Sequence, residues 1–237
     1  ISKDPETYKM HIKAQSLFTK MTPPSNNEAE RLWKKALEKE PENYRFMVTL
    51  GWVNWQKIVL RMSENPKEDI QKGLRLAKQS LSIRPDFASA LSLAVSLEMM
   101  MGNHEAACKR VEKIFKFAEN TFDTALGAAG AHNCGDLELA ISNYEYVFRT
   151  APHFSSWARN LYSYALVENG DFDKALKYFD SELKKEHAFG GFSQTMYLLS
   201  AFINKKRGDE KKAKAFFEKQ KNEDGLSPIH ISEPTRP

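Results

Sequence analysis

Gly102-Asn-His-Glu-Ala-Ala107, Gly135-Asp-Leu-Glu-Leu-Ala140, Gly170-Asp-Phe-Asp-Lys-Ala175 and Gly208-Asp-Glu-Lys-Lys-Ala213 are four copies of one signal. Glycine tolerates the left-handed backbone that closes a helix, and the Asp or Asn after it can cap the amides that open the next. Alanine at the fifth position after glycine falls on the second helix where two axes approach closely, so a small side chain is required. The glycines lie 33, 35 and 38 residues apart. A hairpin of that length cannot bury its apolar face alone and must stack on its neighbours. The reading that follows is an all-α chain, a right-handed α-solenoid of about six helix–turn–helix units.

The same grammar extends outward in both directions. Pro5 suits a first helical turn, and Tyr8, Ile12, Leu17 and Phe18 follow at helical spacing. After the turn at Thr22-Pro-Pro-Ser-Asn-Asn27, residues Ala29, Leu32, Trp33, Ala36 and Leu37 form one apolar stripe, which Pro41 ends. Second helices stop again near Pro85, Glu119-Asn120, Pro152 and His187. The predicted helix pairs span 5–40, 44–84, 86–118, 121–150, 153–186 and 190–221. Gly73 stands where the later repeats have their alanine. The second pair carries extra residues over Ile58–Asp69, which predicts a longer first helix or a projecting loop.

Composition narrows the function. Of the 237 residues, 28% are charged and 41% hydrophobic, with a formal net charge of +4. Lysines sit among glutamates, as on solvated helix faces, so no nucleic-acid contact is expected. No stretch has the roughly 20 apolar residues that span a bilayer. Cys108 and Cys134 are the two cysteines. Lacking a CxxC or zinc-ligand spacing, they argue against a disulfide framework and against a structural metal, and they fit a reducing, cytoplasmic setting. The chain opens at Ile1 without methionine, and Leu226–Pro237 leaves the repeat pattern and is similar to translated adapter DNA. The expectation is therefore a fragment, with a helical array over 1–225 and a non-native or disordered tail over 226–237.

Catalytic signals are weak throughout. Gly127, Gly130 and Gly135 lie in or at the end of a predicted helix with no strand before them, so they read as close-packing positions and not as a phosphate loop. The histidines, His11, His104, His132, His153, His187 and His230, are scattered without a paired spacing, and no nucleophile elbow is present. No catalytic residue, cofactor or metal site is expected. The Met99–Met101 run and the Trp52/Trp55 pair read first as packing residues, with a second role in binding irregular apolar partners.

Trp33, Gly51, Ala29, Ala36 and Pro41 together give a pattern that resembles the tetratricopeptide repeat over nearly residues 5–221. It departs where Ser80 and Val147 replace the late alanine, where Glu119 and His187 replace proline, and in the enlarged second unit. The order of the leading helix, the Gly51-Trp52 unit with its insertion, Ala90–Ala107 and the Pro152-His-x-x-x-Trp157 stretch is similar to the C-terminal repeat region of bacterial class III adenylate and guanylate cyclases. Related arrays follow winged-helix transcription regulators or serve as stand-alone scaffolds. The resemblance implies a noncatalytic interaction and regulatory module whose catalytic domain is missing, because the cyclase motifs are not in this sequence.

It also implies that the first helices of the pairs line a concave face. Thr49, Trp52, Gln56, Ser92, Ser96, His132, Asn133, Arg159, Asn160 and Ser163 then become the candidate binding residues. Their partner would be a protein or peptide, including a domain upstream in the same chain.

Overall fold

A computed structural model describes residues 2–154, 156–184 and 192–223. Twelve α-helices and no strand are present among them. In chain order they are α1 (Pro5–Phe18), α2 (Pro23–Lys39), α3 (Tyr44–Val59), α4 (Pro66–Ile83), α5 (Ala88–Met100) and α6 (His104–Lys116). They continue as α7 (Thr121–Asn133), α8 (Leu137–Thr150), α9 (Ser156–Glu168), α10 (Phe172–Leu183), α11 (Phe192–Lys206) and α12 (Glu210–Glu223). The expected all-α hairpin order is thus observed. The tail expected over 226–237 and the stop expected at His187 lie outside the described residues. The chain divides into two compact units, Ile1–Ala151 and Pro152–Pro237, each described by itself.

The four glycines of the repeated signal all take left-handed backbone, with φ of 79°, 80°, 81° and 78° at Gly102, Gly135, Gly170 and Gly208. Behind each, the next amide reaches back to a helix carbonyl. Asn103 donates to Glu98, Asp136 to Ala131, Asp171 to Leu166 and Asp209 to Asn204, at 2.9–3.0 Å. These bonds satisfy carbonyls that the helix end leaves open. The alanines five positions on, Ala107, Ala140, Ala175 and Ala213, are buried.

Two turns reach the same conformation without glycine. Arg61 (φ 55°) closes α3, where the Met62 amide donates to the Lys57 carbonyl at 2.8 Å, and Met21 (φ 53°) lies between α1 and α2. A left-handed non-glycine residue costs about 1–2 kcal/mol. The extra residues of the second pair lengthen both helices as well as the turn. α3 and α4 have 16 and 18 residues, against 13 each in α5 and α6.

Unit 1 packs around small-residue crossings. A Cβ on Gly51 would meet Leu93 Cδ2 at 2.3 Å, and one on Gly73 would meet Leu97 Cδ1 at 2.5 Å. Two leucines of α5 therefore fill the space that α3 and α4 leave open. Gly127 and Gly130 press likewise on Phe115 and Val111 of α6, the close packing expected of them. At the other end Trp33 is buried among Ala14, Ala29, Phe46 and Leu50.

The Trp33 indole nitrogen donates to His11 Nδ1 at 3.0 Å, so that nitrogen must stay unprotonated. Burial is the main cause that holds the His11 pKa below its ordinary value. The unfolded chain binds this proton more readily than the folded one. Stability is therefore present above the ordinary imidazole pKa and is lost as the pH falls through it. Urea midpoints should drop between about pH 7.5 and about pH 5.5 for the natural chain, and drop less for His11→Gln, which keeps an acceptor.

The cysteines correct the sequence reading. Cys108 on α6 and Cys134 at the end of α7 form a disulfide, with Cα atoms 5.6 Å apart and 26 residues of separation. That separation places Cys134 at the end of the next first helix, and the stacking of α6 on α7 closes the gap. Motif spacing cannot report such a pairing, because the partners meet only through the fold. A loop of this length contributes about 3.5 kcal/mol in the chain-entropy account. Protein isolated from its natural source without reductant should take up no iodoacetamide. Reduction, or Cys108→Ala with Cys134→Ala, should lower unit 1 stability by about that amount in denaturant titrations.

Candidate binding faces on the first helices

Seven of the ten candidate residues lie in unit 1 and three in unit 2. In unit 1, Trp52 is half-buried on α3, its indole nitrogen 3.3 Å from Ser89 Oγ on α5 and its ring edge-on to Trp55 at 5.5 Å. The two indoles keep part of their surface in solvent. Ser96 on α5 and His132 on α7 are half-buried, and Asn133 is exposed. Thr49 is half-buried with its hydroxyl given to the Phe46 carbonyl at 2.9 Å.

Four candidates are instead internal. Gln56 is fully buried, accepting from Asn26 Nδ2 at 2.6 Å and donating to the Phe18 carbonyl at 3.1 Å. It ties α3 to the first hairpin. Ser92 and Ser163 are buried, the latter donating to the Arg159 carbonyl at 2.9 Å.

Arg159 is buried as well. It pairs with Glu182 of α10 at 3.2 Å and donates to the Pro152 carbonyl. Both side chains of the pair are only 7% exposed, so each charge depends on the other. Nearby, burial pushes the Tyr178 hydroxyl pKa up. Asn160, the remaining candidate of unit 2, is half-buried, with its side-chain oxygen out of solvent. Arg159→Ala should cost unit 2 about 3–5 kcal/mol by stranding Glu182, whereas Arg159→Met with Glu182→Leu should be near neutral. Thermal unfolding of the full chain followed by circular dichroism checks both.

A cluster that the sequence reading missed lies where second helices hand over to first helices in unit 1. The Arg84 guanidinium donates to the Tyr44 hydroxyl at 3.0 Å, pairs with Asp86 at 3.1 Å and reaches Glu119. The Tyr44 hydrogen bond, then Asp86, raises its pKa. Arg45 lies 5.4 Å and 5.2 Å from the centres of the Tyr44 and Phe87 rings, which meet edge-on at 4.9 Å. Asp123 is buried and accepts from the Glu119 amide at 3.2 Å and from Asn120 Nδ2 at 3.0 Å. Its burial raises its pKa. These contacts link three successive hairpins. The one signal in the sequence is that Tyr44, Arg84 and Glu119 all stand at the second-to-first-helix junctions.

No group of three or more metal-ligating side chains is present among the described residues, and no described helix is long and apolar enough to cross a membrane. Hairpins closed by left-handed turns and stacked through buried alanines define a helical-repeat fold, that of tetratricopeptide proteins. Solved structures that share it include the following three. PilW, a widely conserved type IV pilus biogenesis factor, has a TM-score of 0.65 at 16% identity, covering 95% of this chain and 96% of its own. PilF of Pseudomonas aeruginosa gives 0.56 at 14% identity, covering 92% and 93%. YrrB, a TPR protein with an unusual peptide-binding site, gives 0.52 at 16% identity, covering 84% and 94%. No protein-family model and no curated protein sequence matches the chain.

Proposed function

We propose that this chain is a noncatalytic protein-binding module that holds a peptide segment of a partner on the faces of its first helices. The observation that carries the reading is the Trp52–Trp55 pair, two indoles packed on the core of unit 1 with part of their surface left accessible on α3 and Ser89 beside them on α5. Rigid aromatic surface next to small hydroxyl side chains suits peptide recognition, because the indoles give apolar contact area and the hydroxyls give hydrogen bonds. The peptide-binding site of the similarly folded YrrB adds support. The narrower reading, an array attached to a nucleotide cyclase or to a winged-helix regulator, rests on the sequence resemblance alone, and reading the gene upstream of Ile1 decides it.

The Cys108–Cys134 bond supports an oxidising compartment in place of the cytoplasm expected from cysteine spacing, since cytosolic thiols are kept reduced. The alkylation experiment above tests this. For binding itself, peptides selected against the full chain should quench or shift tryptophan fluorescence. Trp52→Ala should weaken them by about 2 kcal/mol with the helical circular dichroism intact. Unchanged affinity in both Trp52→Ala and Trp55→Ala would remove α3 from the binding face.

A further inference from the structure

Unit 2 carries a first-helix face of different chemistry. On α11, Met196, Ser200, Ile203 and Asn204 are buried, and the opposite side presents Leu198 and Phe202, 43% and 46% exposed and one turn apart. Lys205 and Lys206 follow on the next turn, with Lys206 Nζ 5.8 Å from the Phe202 ring centre. Tyr164 of the neighbouring first helix α9 is 37% exposed and precedes Gly170 by the same six residues that separate Phe202 from Gly208. Tyr164 and Phe202 therefore hold the same repeat position on two helices in contact. In unit 1 the matching positions are Ser96 and Ala129, both small. At this repeat position unit 2 carries large side chains where unit 1 carries small ones.

Charge is concentrated in unit 2 too. Residues 205–221 hold eight lysines and arginines against three acidic side chains, so this stretch alone exceeds the +4 of the whole chain. α11 itself has no acidic residue. Arg207 pairs with Asp173, Lys212 pairs with Asp209 and Lys211 adds its charge near Asp209, but Lys205, Lys206 and Lys214 have no carboxylate partner among the described residues. Unpaired ammonium groups beside exposed apolar side chains match a ligand with the reverse pattern.

We infer that the face formed by Tyr164, Leu198, Phe202, Lys205 and Lys206 docks an acidic amphipathic peptide segment of a partner protein. Its apolar side chains cover Leu198 and Phe202, and its carboxylates meet the lysines. The inference rests on the peptide-binding reading above and names the chemistry of one surface. Leu198, Phe202 and Lys205 succeed one another along a single helix at about 5.4 Å per turn, which fits the side chains of one linear segment better than the plane of a bilayer.

The test uses the full chain and a short fluorescein-labelled peptide carrying Leu and Phe one helical turn apart among glutamates. Its counterpart with glutamine for glutamate, and phosphatidylserine-containing vesicles, are the comparison probes. The acidic peptide should bind about tenfold more tightly than the glutamine one, with the difference shrinking as salt is raised. Lys205→Gln with Lys206→Gln should weaken the acidic peptide about fivefold and leave the glutamine peptide unchanged. Phe202→Ser should weaken both.

Equal affinity for the two peptides would overturn the inference, as would vesicle binding without peptide discrimination. Peptide binding that responds to Trp52→Ala but to none of the unit 2 variants would overturn it while leaving the broader reading in place. Failure of both peptides and of every selected peptide to bind would remove both.

Discussion

A helical hairpin of some thirty residues has more apolar surface than it can cover by itself, and every other feature of this chain follows from that shortage. Covering it on the next hairpin requires the two helices of each unit to be set at a reproducible angle. The left-handed residue at the turn supplies that angle, with its neighbour's amide drawn back onto the helix it closes. The small residues at Ala107, Ala140, Ala175, Gly51 and Gly73 then let the axes come close enough for leucine, tryptophan and phenylalanine to fill what remains. First and second helices each give one side to this stacking and keep exposed side chains on the other, Leu198 and Phe202 on α11 and Ile83 and Tyr146 on α4 and α8; the recognition proposed above uses the free side of the first helices.

Three kinds of junction chemistry reinforce the stacking. Gln56 joins α3 to the first hairpin by amide hydrogen bonds in a dry environment, where leaving either group unpaired would be expensive. Tyr44, Arg84 and Glu119 bridge three hairpins at the partly exposed turn edge, where ion pairs contribute less. The Cys108–Cys134 bond crosses from α6 to α7 and ties the connection covalently. In unit 2 the Arg159–Glu182 pair takes a comparable internal place, with two charges withdrawn from water to fix α9 against α10.

The sequence made the hairpins legible because glycine and alanine at fixed offsets have few other physical explanations. It was less informative about which polar residues face solvent, for a geometric reason: neighbouring positions on a helix point about 100° apart, so a shift of one residue exchanges groove for core. Arg159 and Ser163 fell on the buried side in this way, and Ser92 and Gln56 did likewise in unit 1. Turns closed by Arg61 and Met21 carry no glycine to announce them. The disulfide and the Tyr44–Arg84 contact join residues 26 and 40 positions apart, distances that only the stacked fold makes short.

The proposed recognition by first helices can be tested directly by hydroxyl-radical footprinting of the full chain with and without a bound peptide. Trp52 and Trp55, or Tyr164, Leu198 and Phe202, should lose reactivity on binding, while Ile83 on α4 and Tyr146 on α8, both exposed, should keep theirs. Protection of Ile83 and Tyr146 with the first-helix aromatics unchanged would contradict the account.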